Sequence, residues 1–270
     1  MKKVFSLLLA LATLLCCFSA CAEGTFRVGM ECNYAPFNWT QTEASDTAVA
    51  IEGGLGYADG YDVQIAKKLA EGLGKELVIV KTEWDGLAQG VVSGLFDAII
   101  AGMSPTAERK ATIDFSDPYY KSEIVIVVRK DGAYAAATTL ADFNGSALTG
   151  QLNTLHYNFI DQIEGANKLP AMETFPAMIV ALQSGAIDGY IAERPGAVAD
   201  TTANPDLCFV QFAEGSGFVT SDEEVSIAVG LPKNSELLAP INEILATIDA
   251  DMRNQLMLDA TARQPLLNVQ

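Results

Sequence analysis

One ten-residue phrase occurs twice in the chain. Ser93-Gly94-Leu95-Phe96-Asp97-Ala98-Ile99-Ile100-Ala101-Gly102 returns as Ser184-Gly185-Ala186-Ile187-Asp188-Gly189-Tyr190-Ile191-Ala192-Glu193, with identical internal spacing. Each copy follows an apolar stretch of helical period and reads as a Ser-Gly turn, an acid and a buried strand. A chain that uses one such unit twice is expected to build two α/β halves. Function then falls in the cleft between them, where the strands end. Gly102 and Glu193 are the matching strand-end residues. One is bare backbone and the other is charged, so the two walls of the cleft have different tasks.

The segments around the phrase extend the pattern. Thr25 to Met30 reads as a strand, followed by a loop bearing Tyr34, Pro36, Phe37 and Trp39, and residues 40–60 read as a polar surface excursion. Val63, Ala66, Leu69, Ala70 and Leu73 form a helical stripe closed by Gly74. Leu77 to Val80 is a strand and Asp85 to Val92 a helix. Ser104 and Pro105 then read as the N-cap and first position of a short helix. Asp114 to Tyr120 has no regular period, and Ile124 to Val128 is an apolar strand. The second series runs through Ala147 to Thr149, a helix from about Thr154, a helix after Pro176, the second copy, and Cys208 to Phe212. Gly215 to Glu224 is loop, Val225 to Leu231 a strand, and two helices close the chain near 236–248 and 251–262. Alternating strands and helices imply a largely parallel sheet covered on both faces. The chain visits one lobe, crosses to a second and returns.

Residues 1–22 stand apart. Lys2 and Lys3 precede an apolar run, Val4 to Leu15, too short to span a bilayer comfortably, and small residues follow it, so the segment reads as an export signal. Ser19-Ala20-Cys21 resembles a bacterial lipobox, which would make Cys21 a lipidated N-terminus, although Phe18 departs from the usual aliphatic residue. Ala20-Cys21-Ala22 equally suits an ordinary signal peptidase. The chain carries a formal net charge of −17, which argues against nucleic acid or an anionic membrane surface as partner. Beyond the leader only Cys32 and Cys208 remain, too few for a disulfide framework, and they read as two thiols.

Enzyme motifs are thin. No phosphate-binding loop is present, and Gly53-Gly54-Leu55-Gly56 lacks the strand-turn-helix setting of a dinucleotide site. His156 is the only histidine and no nucleophile elbow accompanies it, so it reads as a polar residue in the first turn of a helix. Neither a zinc set nor a calcium loop is evident, and no metal or other cofactor is expected. Recognition chemistry is better represented. After the first copy come Ser104 and Arg109, a hydroxyl and a guanidinium fork that, with nearby backbone amides, can hold a carboxylate. Glu193 ends the matching strand of the second copy, where it can receive an ammonium. One positive wall facing one negative wall suits an α-amino acid.

With these residues placed, the chain resembles the polar-amino-acid family of extracytoplasmic solute-binding proteins, the receptors of ABC importers. The likeness covers essentially all of the chain beyond the leader. It rests on Arg27 to Phe37, Gly60-Tyr61-Asp62-Val63, Gly102 to Arg109, Asp114 to Tyr120 and Gly185 to Glu193, in that order and spacing. The resemblance implies a two-lobed type II periplasmic-binding-protein fold that closes over its ligand. Its lobes would comprise 25–118 with 228–270, and 124–222, joined by hinges at 119–123 and 223–227. By position, Gly102 (through its backbone), Ser104, Arg109 and Thr154 would hold the ligand carboxylate and Glu193 its ammonium, where the family more often has Asp. Asn153 stands where relatives carry Gly before the threonine.

The same resemblance implies that side-chain specificity rests on Glu31, Tyr34 and Trp84. An acid between two rings favours a cationic ligand: the carboxylate pairs it, and each ring adds about 0.5–2 kcal/mol of cation–π attraction. Arginine is expected first, then lysine, ornithine or histidine. A neutral polar amino acid such as glutamine or cystine is the alternative within the family. Outside it stands an exported enzyme resembling cyclohexadienyl dehydratases, for which Glu31 or Glu193 would be the general acid. An ABC permease and ATPase are the implied partners of a monomeric, non-enzymatic receptor, exported to the periplasm or lipid-anchored on the outer face of the cytoplasmic membrane.

Overall fold

In the computed structural model, which describes residues 24–213 and 215–265, the echoed phrase is a duplication down to its hydrogen bonds. (The leader, with Cys21, lies outside the described residues.) Both copies leave a helix by the same route. Trp84–Ser93 ends on Gly94 (φ 76°), and Phe175–Gln183 runs through Ser184 to Gly185 (φ 78°). Both glycines occupy the left-handed region that a Cβ disfavours. The N–H of Leu95 donates to the Gly90 carbonyl, and that of Ala186 to Ala181, each at 2.9 Å. Asp97 and Asp188 then grip the neighbouring strand in the same two-way fashion. Their Oδ2 atoms accept the N–H of Arg27 (2.8 Å) and of Ala147 (2.9 Å), and their own N–H groups donate to the carbonyls of those residues. A hydrogen bond to a charged acceptor contributes about 1.5–3 kcal/mol, and here it fixes the start of each strand.

The likeness extends to whole sheets. The first runs Glu76–Lys81, Thr25–Met30, Ala98–Ile99, Gly230–Leu231, Asp114–Phe115, and the second runs Asn167–Lys168, Ala147–Thr149, Gly189–Glu193, Ile124–Arg129, Leu207–Val210. Val28 pairs with Ala98 in the first sheet as Leu148 pairs with Gly189 in the second. In each sheet the first three strands run parallel, the fourth runs against them, and the fifth runs with them again. The expected, largely parallel sheet is therefore a mixed one in each half. The reason lies in the connectivity: Ile124–Arg129 and Gly230–Leu231 are the strands delivered by the two crossings, and they enter against the direction of the helix-strand units. Around the crossings, Tyr120–Lys121 and Ser226–Ile227 lie side by side as a two-stranded antiparallel ladder.

Several segments differ from their sequence reading. Residues 40–60 are part of a four-stranded antiparallel sheet, ordered Asn33–Tyr34, Asn38–Gln41, Tyr57–Asp59, Val49–Ala50, with Trp39, Ile51 and Ala58 buried. Strands of two to four residues are too short to display a period of two. Asp114–Phe115 is likewise a short strand, and Val225 to Leu231 divides into two strands where the chain leaves the crossing ladder for the first sheet. Arg194–Ala203 is a helix, entered through Pro195 in its first turn. Its Thr- and Ala-rich sequence shows no clear apolar stripe.

Ser104 does not cap the helix after it. Thr106, two residues nearer, caps Ala107–Lys110 by accepting the Arg109 N–H.

The core is continuous between the halves. Tyr34 from the first stacks between Phe37 (ring centroids 5.0 Å) and Phe175 of the second (4.5 Å). Beneath it, Asp62 is wholly buried and accepts from Tyr119 and Asn38. Cys32 and Cys208 are free thiols. Among the described residues, no helix is long and apolar enough to cross a membrane, and no cluster of three or more metal-ligating side chains occurs.

Candidate ligand-binding site

The segment after the first copy forms one wall. Gly102 has φ 63°, and a Cβ there would come within 2.9 Å of the Tyr34 ring, so both conformation and space require glycine. Its backbone lies beside the buried Asp62 carboxylate and favours the ionised form of that acid. The Ser104 hydroxyl donates to the Glu224 carbonyl at 3.1 Å, and that of Thr154 to the Gln151 carbonyl at 2.7 Å. Both hydroxyls therefore brace the protein in this structure rather than offer a proton to the cleft. Arg109 carries the positive charge of this wall. One Nη donates to the Ser104 carbonyl (3.0 Å), and the guanidinium lies 5.1 Å from the Trp84 ring centroid. Burial lowers its pKa to about 10, with Glu108 and Glu193 opposing, so it stays charged at neutral pH. The other donors of the fork suit a planar carboxylate.

The end of the second copy forms the opposite wall. Glu193 is 1% exposed and precedes the helix Arg194–Ala203 without its side chain capping that helix. Its carboxylate turns into the cleft instead. Oε2 accepts the Tyr34 hydroxyl at 2.7 Å, whereas Oε1 is buried with no partner. Burial raises its pKa to about 7, against the Tyr34 hydrogen bond, with Asp62 adding to the rise and Arg109 opposing it. His156, two residues beyond Thr154, lies beside it with Nε2 3.8 Å from Oε1. Burial, reinforced by Arg109, drives the imidazole pKa down to about 3. At neutral pH this close approach is therefore not an ion pair.

Glu31 occupies a third corner. It is 1% exposed, and its two oxygens lie 3.0 and 3.2 Å from the Gln151 amide nitrogen, which reaches across from the second half. Burial raises its pKa to about 7; the Gln151 bond and Lys81 oppose that shift, and Glu83 and Asp85 add to it. Two further bonds cross the cleft here: Trp84 Nε1 donates to the Asn153 carbonyl (3.2 Å), and Asn153 Nδ2 to Asp85 (2.8 Å). Asn153 itself has φ 55°, a left-handed conformation that Asn tolerates better than most residues and glycine adopts freely.

Tyr34, Trp84, Gly102, Ser104, Arg109 and Thr154, all marked from sequence, line one cavity of about 10 Å³. Gln151, Leu155 and His156 complete it. Glu31 and Glu193 join through their bonds to Gln151 and Tyr34. Trp84 sits against Arg109 rather than beside Glu31 alone, and Tyr34 is held in the aromatic stack. Sequence reasoning missed Gln151, Phe175, Glu83 and Asp85, and it read His156 as an ordinary helical polar residue. Position relative to Thr154 was the available signal for Gln151 and His156, since both flank it by two or three residues.

The model of the bacterial extracellular solute-binding proteins, family 3, matches residues 26–259. The ABC transporter arginine-binding protein 1 of Escherichia coli is 27% identical over 261 residues, covering 96% of this chain and 97% of that protein. An L-cystine-binding protein of the same species is 28% identical over 229 residues, covering 85% and 79%. Among solved structures, an amino acid ABC transporter substrate-binding protein from Streptococcus pneumoniae bound to L-arginine superposes with a TM-score of 0.75. It is 26% identical, covering 88% of this chain and 95% of that one. The fold is the two-lobed type II periplasmic-binding-protein architecture.

Proposed function

The chain belongs to the bacterial extracellular solute-binding proteins, family 3, and from that premise we propose that it captures a free L-amino acid for an ABC importer. The ligand has a cationic side chain, arginine ahead of lysine, ornithine and histidine. The lobes close over it by bending at 119–123 and 223–227, and the closed form delivers it to the permease. Export by the 1–22 leader, with Cys21 as a lipid anchor, belongs to the same reading.

The observation that carries the proposal is the set of charges gathered around one cavity. Arg109 lines it, Glu193 joins it through its bond to Tyr34, and buried Glu31 through its bond to Gln151. A free amino acid presents a carboxylate, an ammonium and a side chain, and a cationic side chain complements the third group by charge as well as by hydrogen bond. A buried carboxylate without a cation is costly, which is why Glu31 is raised to about 7 here. A ligand guanidinium or ammonium relieves that cost.

One contact favours the neutral alternative. The Gln151 amide already satisfies Glu31, so a ligand amide, such as that of glutamine, can take the same place. Calorimetry against the twenty amino acids, ornithine and citrulline separates the readings. Citrulline, which replaces the guanidinium of arginine by a neutral ureido group, is expected to bind at least about tenfold more weakly than arginine. An affinity no better than about 100 μM for every amino acid, about 2.7 kcal/mol short of micromolar binding, would overturn the proposal. Turnover of prephenate or arogenate would instead reassign the raised carboxyls as general acids.

A further inference from the structure

His156 is the only histidine in the chain, and its surroundings are unusual. It is 6% exposed, yet neither ring nitrogen has a hydrogen-bond partner, and the same holds for Glu193 Oε1. Unpaired buried polar atoms are few in native proteins because each forfeits its hydration. Here three of them occur on two facing side chains inside the cleft. The ring is held by an edge contact with Phe175, centroids 6.1 Å apart. Nε2 and Oε1 are separated by 3.8 Å, too far for a hydrogen bond between them. A single nitrogen placed about 2.8–2.9 Å from each bridges that gap, and an ammonium has three N–H donors to do so. The charged and titratable groups facing the ring are Arg109, Glu193 and Tyr34. Of these, Arg109 opposes a positive charge on the imidazole and keeps a lone pair available.

We propose that His156 is a ligand-binding residue, its neutral imidazole accepting one N–H of the amino acid's α-ammonium beside Glu193 Oε1. The inference rests on the amino acid reading above and adds a second, uncharged acceptor to the ammonium wall. A neutral acceptor beside one carboxylate neutralises the ammonium once, where two carboxylates would leave excess negative charge buried.

The test uses the untagged protein labelled with ¹⁵N in its imidazole, whose signals need no assignment because one histidine is present. L-Arginine and L-glutamine are each expected to shift the unprotonated ring nitrogen in the direction of hydrogen-bond acceptance. 5-Guanidinopentanoate, which is arginine without its α-amino group, is expected to leave it unmoved. In calorimetry, His156→Phe should lose about ten- to thirtyfold in affinity for L-arginine and under about threefold for 5-guanidinopentanoate. His156→Gln, which keeps an acceptor, should recover most of the loss. Equal losses for both compounds, or ring nitrogens indifferent to bound L-arginine, overturn the inference and leave the amino acid reading standing. Failure of every amino acid to bind the unaltered protein overturns both.

Discussion

Asp97 and Asp188 occupy the same place in the two copies of the phrase and make the same pair of hydrogen bonds to a neighbouring strand. Five residues further on the copies part. Gly102 turns with φ 63° and leaves room for the Tyr34 ring, whereas Glu193 brings a buried carboxylate to the same hydroxyl-bearing ring from the other side. The early positions of the phrase fix a helix end and a strand start, which every such unit needs. Its last position faces the opposite half. Duplication therefore conserves the scaffold, and asymmetry at its rim makes the cleft able to tell one end of a ligand from the other.

Changes on the two walls should have separable consequences. The largest is expected for Arg109→Ala, which removes the only side-chain cation marked for the carboxylate: about a hundredfold or greater loss for every amino acid, read by calorimetry. A loss confined to cationic ligands would place Arg109 elsewhere. Glu193→Gln should cost about thirty- to a hundredfold for all α-amino acids, while sparing compounds without the amino group. Glu31→Gln should weaken arginine and lysine about tenfold or more and leave neutral amino acids within about threefold. Equal weakening of both classes removes Glu31 as the side-chain reader.

The pH dependence sharpens the same division. Glu31 and Glu193 are both raised from the ordinary carboxylate range to about 7 by burial. A raised carboxyl holds its proton in the fold after the unfolded chain has lost it. Its favourable linkage is therefore complete below about pH 4.5 and gone above about pH 7. A cationic ligand demands the ionised form of both groups, so its affinity should fall as pH drops from 7 to 5, with protons released on binding. A neutral amino acid engages only Glu193 and should release fewer. Calorimetry in buffers of differing ionisation enthalpy counts them. The smallest effect is expected at the rim. Asn153→Ala breaks a solvent-exposed bond to Asp85 and asks Ala to hold φ near 55°. A destabilisation of about 1 kcal/mol, seen in thermal unfolding, should come with little change in ligand preference.

Much of this was legible from sequence because it is local. The Ser-Gly turn, the acid and the apolar strand are neighbours, so the phrase announces its own geometry, and Arg109 follows the first copy closely enough to be read with it. Glu193 came from a strand end, which points at the cleft whatever the rest of the chain does, whereas Glu31 came only through the resemblance to the family. The partners that span the cleft were not legible. Gln151 meets Glu31 across 120 residues, and Phe175 meets the Tyr34 ring only when the halves come together. The hydroxyls of Ser104 and Thr154 show another limit: residue type reveals a donor, but a carbonyl three residues away, as at Gln151, can claim it first. His156 stands in the first turn of a short helix, as its sequence reads. Its helical turn is ordinary, and only its burial without partners sets it apart.

That the two walls divide one amino acid between them is tested most directly by a double cycle in protein and ligand. L-Arginine, agmatine (without the carboxylate) and 5-guanidinopentanoate are titrated into the unaltered protein, Arg109→Ala and Glu193→Gln. Arg109→Ala should weaken arginine by about a hundredfold and agmatine hardly at all, while Glu193→Gln should spare only 5-guanidinopentanoate. If each substitution weakens all three compounds by the same factor, the walls do not divide the ligand and the assignment of its two ends fails.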